Sequence, residues 1–202
     1  MPENSYFREP GTQAMLLDVL FIFCKLNRDI GYRQGMHEVL APILWVVSRD
    51  AIDPQSFANA SRKEAESDGL ILACFDPKYV EHDAFTMFGI IMQTVKSFYE
   101  TGNHNPRTAP GPLSNSPIVE RSKRIHEEYL LKVDPELTEH LTAIEVLPQI
   151  FLIRWIRLLF GREFPLDRVL SLWDLLFAED PALDLIDLVC VSMLLRIRGQ
   201  RE

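Results

Sequence analysis

The sequence has no apolar stretch long enough to span a bilayer. Asp18 interrupts the first apolar run, and Leu188–Leu195 is too short. Met1-Pro2-Glu3-Asn4 lacks the basic segment and apolar core of a signal peptide. These absences predict a soluble, cytoplasmic protein. No run of Lys or Arg occurs, and the net charge is −8. Nucleic acid and anionic membrane, which both reward clustered basic residues, are therefore disfavoured as main partners. Cysteine is scarce: Cys24, Cys74 and Cys190 are odd in number, far apart and without Cys-x-x-Cys spacing. That pattern excludes a disulfide framework and a thiolate metal site, leaving reduced thiols that fill space. There is no P-loop and no Gly-x-Gly-x-x-Gly, so the chain itself is expected to hold no nucleotide, cofactor or metal. No internal period of roughly 30–45 residues is found, which excludes a helical repeat array.

What is present is apolar and helical. The 202 residues are 47% apolar, enough for the core of one domain. Leu16, Val19, Leu20, Phe23 and Cys24 follow helical spacing, while Leu17, Phe21 and Ile22 fill the other side. A helix apolar nearly all round predicts burial. Phe85, Phe88, Met92 and Val95 form a second stripe, with Gly89 inside it as a candidate for close helix packing. Pro42 falls within an apolar helical pattern and is expected to kink or end it. Asp53-Pro54, Asp76-Pro77, Asp134-Pro135 and Asp180-Pro181 each place a capping carboxylate before a proline, a helix-start signature. Phe164-Pro165 reads the same way, and Phe160-Gly161 reads as a helix stop at a glycine. Clean strand alternation is missing, so the fold class is all-α, with about eight or nine helices. Thr101–Pro117 carries four prolines and no apolar periodicity. It reads as a flexible loop, either a plain insertion or a peptide ligand. Ser61–Asp68 reads as a solvated charged face. The last helix, Leu183 to Ile197, is apolar on nearly every side and predicts an exposed apolar patch.

The most informative stretch is Gly31-Tyr32-Arg33-Gln34-Gly35, an amide side chain bracketed by glycines between two apolar helical segments. It is either a plain helix connection or a turn that projects Gln34 toward a partner. Its continuation through Met36-His37-Glu38-Val39-Leu40-Ala41-Pro42 resembles the Tyr-x-Gln-Gly motif of TBC domains, all-helical GTPase-activating proteins for Rab GTPases. Pro148 through Phe160, then Phe164-Pro165 and Trp173-Asp174, resembles the second half of such a domain. Ser171 departs from the pattern, in which many TBC domains carry an arginine two residues before the Trp. Gln-Gly-Met-His-Glu, Gly-Arg-Glu-Phe-Pro-Leu and Leu-Phe-Ala-Glu-Asp are most similar to the member-five branch, which is associated with endosomes and retromer.

The resemblance implies a V-shaped helical architecture. It makes residues 1–202 a single, partial TBC domain, cut at both ends, with loop 101–117 inside it. It implies that Gln34 acts as a glutamine finger, orienting water for a Rab that itself holds GTP and Mg. Tyr32 corresponds to the aromatic packed beneath the loop, Gly35 to the residue that lets the loop close in, and Arg33 to the variable position. The upstream arginine motif is absent, and Arg8 does not match its position. The resemblance implies a Rab GTPase as partner, with retromer as a second candidate and membrane reached only through the Rab on endosomes. A non-catalytic Rab-binding or retromer-associated scaffold is the alternative. Arg154 and Arg157 could meet an acidic partner or form a solvated face. Asp174 suits a structural hydrogen bond as well as catalysis. Trp155 and Trp173 read as core anchors. His37-Glu38 begins like a zincin motif, but position 41 is Ala, so helix-start polarity is the better reading. His82-Asp83 and His126-Glu127 are sequence neighbours that share no helix face.

An arginine finger is worth about 10³–10⁵ in rate. Residues 1–202 alone are therefore expected to stimulate GTP hydrolysis little, and a chain extended upstream through an Arg-Thr pair to stimulate it strongly. Single-turnover phosphate release compares the two, and strong stimulation by 1–202 would contradict this reading.

Overall fold

The computed structural model describes residues 4–53, 69–100, 116–180 and 182–200. Among them every regular element is helical, so the predicted all-α class holds. The loop at 101–117 lies outside the described residues up to 115, as do Pro54, Ser61–Asp68 and Pro181. The chain forms two compact units, Met1–Met92 and Gln93–Glu202. No helix among the described residues is long and apolar enough to cross a membrane.

In the first unit a 3-10 turn (Ser5–Arg8) starts with Asn4 Oδ1 accepting from the Tyr6 N–H at 3.0 Å. Helix α1 (Pro10–Leu26) has Pro10 at its first position, where a missing N–H costs nothing. Asn27 closes its end by donating from Nδ2 to the Phe23 carbonyl. Helix α2 (Met36–Asp50) follows, then α3 (69–74). Asp76 caps the 3-10 turn Pro77–Tyr79 that leads into α4 (Val80–Val95), its Oδ1 accepting from the Lys78 N–H. Val19, Leu20 and Phe23 of α1, Val39, Leu40 and Leu44 of α2, and Ala84 and Phe88 of α4 are buried. Phe23 and Phe88 meet edge to face at 4.9 Å. Burial of each such large side chain contributes about 1.5–3 kcal/mol.

In the second unit α5 (Pro117–Arg124) runs through a π-helical segment (Ile125–Leu130) into a last turn, α6 (Leu131–Val133). Then come α7 (Pro135–Ala143), α8 (Gln149–Arg157), α9 (Leu166–Glu179), α10 (Leu185–Ile197) and a 3-10 turn at Arg198–Gln200. Asp134 caps α7 at the Leu137 N–H and also accepts from Arg198 at 2.6 Å, joining the start of α7 to the end of α10. Asp187 of α10 is 2% exposed, and its two carboxylate oxygens accept from Arg121 and Arg124 of α5. Arg121 also donates to the Leu183 carbonyl and lies over the Phe98 ring.

Several local expectations need correction. Helix α1 is not buried all round. Its packing uses the Val19–Leu20–Phe23 side, and Leu17, Phe21, Ile22 and Leu26 are exposed. Pro42 does not end α2, which runs on to Asp50. Gly89 has no neighbour within 4 Å of a built Cβ, so it marks no close packing. Helix α8 stops at Arg157, and the left-handed positions are Leu159 and Phe160 rather than Gly161. Leu159 N–H donates to Ile156 and Phe160 N–H to Trp155, a Schellman end with leucine where glycine is usual. The left-handed residue costs roughly 1–2 kcal/mol. Complete burial of both side chains, and the Trp173 indole N–H donating to the Leu159 carbonyl at 2.9 Å, offset it. Leu183 is not helical; it has φ 62° and α10 begins at Leu185. On α10 Leu185, Leu188 and Ile197 are exposed, while Ile186, Cys190, Val191 and Leu194 are buried.

Asp187→Ala leaves the mostly buried Arg121 guanidinium without its carboxylate. The expected loss is about 3 kcal/mol, read as a lower denaturant midpoint. A change below about 0.5 kcal/mol, the range of ordinary surface substitutions, would overturn it.

Candidate functional site

The connection between α1 and α2 is built from backbone needs. The Ile30 and Gly31 N–H groups both donate to the Asn27 carbonyl, and Ile30 is buried. Gly31 then takes φ 60°. Five residues later the Met36 N–H donates to the Arg33 carbonyl at 3.2 Å, closing a turn over Gln34 and Gly35. Gly35 has φ 106° and ψ −19°, the third-position geometry of a type II turn, which demands a positive φ and hence favours glycine. Gly35 is also the N-cap of α2, and no side chain caps that helix. The Gly35 carbonyl accepts from Glu38 N–H at 2.9 Å.

Gln34 sits at the exposed corner of this turn. Met36, Val39 and Leu40 are fully buried below, so the turn rests on a packed first turn of helix. Arg33 is exposed, and its backbone N–H approaches the Met36 Sδ at 3.4 Å.

Tyr32 is 52% exposed and does not pack beneath the loop. It lies beside the turn with its ring 6.5 Å from that of His37, the planes 28° apart, and its Oη 2.9 Å from His37 Nδ1. Partial burial raises the Tyr32 pKa, and the Cys24 and Glu38 charges add to this, so the phenol keeps its proton. His37 Nε2 is 3.6 Å from Glu38 Oε1, and Glu38 is buried. The part played by His37 was not readable from sequence. Its only signal was a polar ring five residues after Tyr32, at a helix start.

The remaining candidates lie in the other unit. Arg154 pairs bidentately with Glu163 at 2.8 and 3.1 Å. Arg157 donates from Nε to the Phe98 carbonyl and lies 5.7 Å from the Tyr99 ring centroid, while the Tyr99 hydroxyl donates to the Arg157 carbonyl at 2.7 Å. One turn apart in sequence, the two arginines serve different contacts. Asp174 is exposed on α9, directly after Trp173, and forms no ion pair among the described residues. Trp155 and Trp173 are buried. Ser171, at the departure from the family pattern, donates to the Asp167 carbonyl within its own helix.

A glycine-built turn that displays a glutamine, on an all-helical scaffold, defines a class. The sequence pattern of the Rab-GTPase-TBC domain matches residues 1–200. The chain belongs to that family. It is 39% identical over 210 aligned residues to human TBC1 domain family member 5, covering 98% of this chain and 26% of that protein. It is 30% identical to TBC1 domain family member 5 homolog B of Dictyostelium discoideum, covering 98% of this chain and 28% of that one. The chain thus spans about a quarter of the length of these relatives. The crystal structure of the Ypt/Rab-GAP domain of Gyp1p superposes with a TM-score of 0.71 at 18% identity, covering 96% of this chain and 56% of that chain, which establishes the fold.

Gly35→Ala forces a Cβ into a left-handed backbone and is expected to cost about 1–2 kcal/mol. Chemical denaturation measures it. An unchanged midpoint would mean that the turn closes without the positive φ.

Proposed function

We propose that this chain is a GTPase-activating domain for a Rab GTPase, with Gln34 as the side chain that orients the attacking water. The observation carrying this reading is the exposed Gln34 side chain at the corner of a turn closed by the Met36 N–H donating to the Arg33 carbonyl. GTP hydrolysis needs little covalent help from protein. It needs a water held in line and charge stabilised around the γ-phosphate. A glutamine carries both a donor and an acceptor on one planar group, which suits it to hold a water against a phosphate oxygen. Membership of the Rab-GTPase-TBC family supports a Rab as the partner, and that Rab would hold the nucleotide and Mg. The likeness to the member-five branch supports a place in endosomal traffic, with membrane reached through the Rab and retromer as an associated partner.

The test is single-turnover phosphate release from a panel of GTP-loaded Rabs, using the native full-length protein and its Gln34→Ala variant. Loss of one positioned transition-state donor costs about 10²–10³ in rate. Gln34→Ala is expected to lower the stimulated rate by about that factor and to leave thermal stability unchanged, because the side chain is exposed. Tight binding of a GTP-loaded Rab without faster hydrolysis would favour the scaffold reading instead.

A further inference from the structure

We propose that His37 is a positioning residue for Gln34, clamping its turn from the first turn of α2 through the bond to Tyr32. The inference rests on the catalytic reading of Gln34 given above.

The turn has freedom that something must remove. Gly31 lies three residues before Gln34, with φ 60° and no atom within 4 Å of a built Cβ. Gly35 lies directly after it, also left-handed. Glycine restricts its own backbone least of all residues. Two such positions around an exposed corner allow the corner to pivot. A misplacement of about 1 Å in a positioning group is worth about a hundredfold in rate.

The Tyr32–His37 contact spans this corner. Tyr32 precedes Gln34 by two residues and His37 follows it by three, so their 2.9 Å bond closes a bridge from the incoming strand of chain to the first turn of α2. The near-parallel rings leave little room for the phenol to swing away. With the phenol donating, His37 Nδ1 accepts and the imidazole proton sits on Nε2, facing the Glu38 carboxylate. His37 is anchored by its place in the first turn of α2, between the buried Met36 and Glu38, while its Nε2 at 3.6 Å from Glu38 Oε1 lies beyond hydrogen-bond distance. The order is therefore a packed first turn of helix, an imidazole carried on it, a phenol held by that imidazole, and the Gln34 turn between. Neither ring is committed to the core, so their removal changes the turn and not the fold.

Two measurements test this. The first needs no GTPase. In the protein, long-range proton–nitrogen spectra should show His37 Nδ1 as a hydrogen-bonded acceptor, and Tyr32→Phe should move its nitrogen shift toward that of a free imidazole. Backbone order parameters at Gln34 and Gly35 should fall in both Tyr32→Phe and His37→Phe. Unchanged order at the turn would overturn the proposal, whatever the GTPase assay gives. The second is stimulated hydrolysis by the full-length protein. Each variant should lower kcat about tenfold with KM for the Rab within about twofold, the signature of a lost transition-state geometry. In a Gln34→Ala background the same substitutions should have no further effect. A shift in KM instead, or losses that multiply with that of Gln34→Ala, would make His37 a Rab-contact residue and overturn the proposal. If Gln34→Ala itself leaves the rate unchanged, the catalytic reading of Gln34 fails, and the order parameters alone decide whether His37 holds the turn.

Discussion

A chain made only of helices must satisfy the polar groups at every helix end, because each α-helix leaves four N–H and four C=O groups without internal partners. That demand organises both units. Asp76, Asp134 and Asp180 accept from the N–H groups of the helical segments that follow them, at 3.0, 3.0 and 2.6 Å. The ends of α7 and α8 are closed by Schellman bonds through Glu145 and Leu159. The start of α2 is the exception that matters for function. It is closed by backbone alone, through a type II turn that glycine makes possible. A serine or aspartate in the place of Gly35 would cap more simply, and the displayed corner would be lost.

The second unit adds an electrostatic tie to this pattern. Asp187 is taken out of water with one carboxylate oxygen on each of two arginines from α5. Such an arrangement adds little net stability over apolar packing, yet it tolerates no loss of a partner. It also fixes the Leu183 carbonyl through Arg121, which explains how a buried leucine is held at φ 62° before α10 begins. Cys190, one turn further along α10, is fully buried, and its thiol pKa is driven well above the usual range by desolvation, with the Asp187 charge adding. It packs as a small apolar side chain, as its placement in an apolar helical run suggested.

Legibility in the sequence varied with how local the cause was. The Asp-Pro starts at 76 and 134 were readable because cap and proline act within one turn. The Gln34 turn was readable as a glycine-bracketed loop for the same reason. Leu159 and Phe160 were not, since their left-handed backbone is held by an indole fourteen residues away and by burial on all sides. The single-sided burial of α1 was equally hidden: Leu17 and Leu20 are the same residue type, and only packing against Phe88 and its neighbours separates the exposed from the buried. Of the two outcomes expected at Pro42, a helix end is the one that fails: α2 continues through it, with Val39, Leu40 and Ile43 buried around it.

By itself the sequence determined the all-helical class, the family motif and the position of Gln34 on a turn. Periodicity, capping residues and glycines act over a few residues and need no tertiary context. Only the tertiary structure decided which helix faces are covered, how Asp187 is shared between two arginines, that Tyr32 stands beside the turn and not under it, and that His37 bridges to it. Those outcomes depend on side chains meeting across turns and between helices, where distances of about 3 Å separate a bond from none.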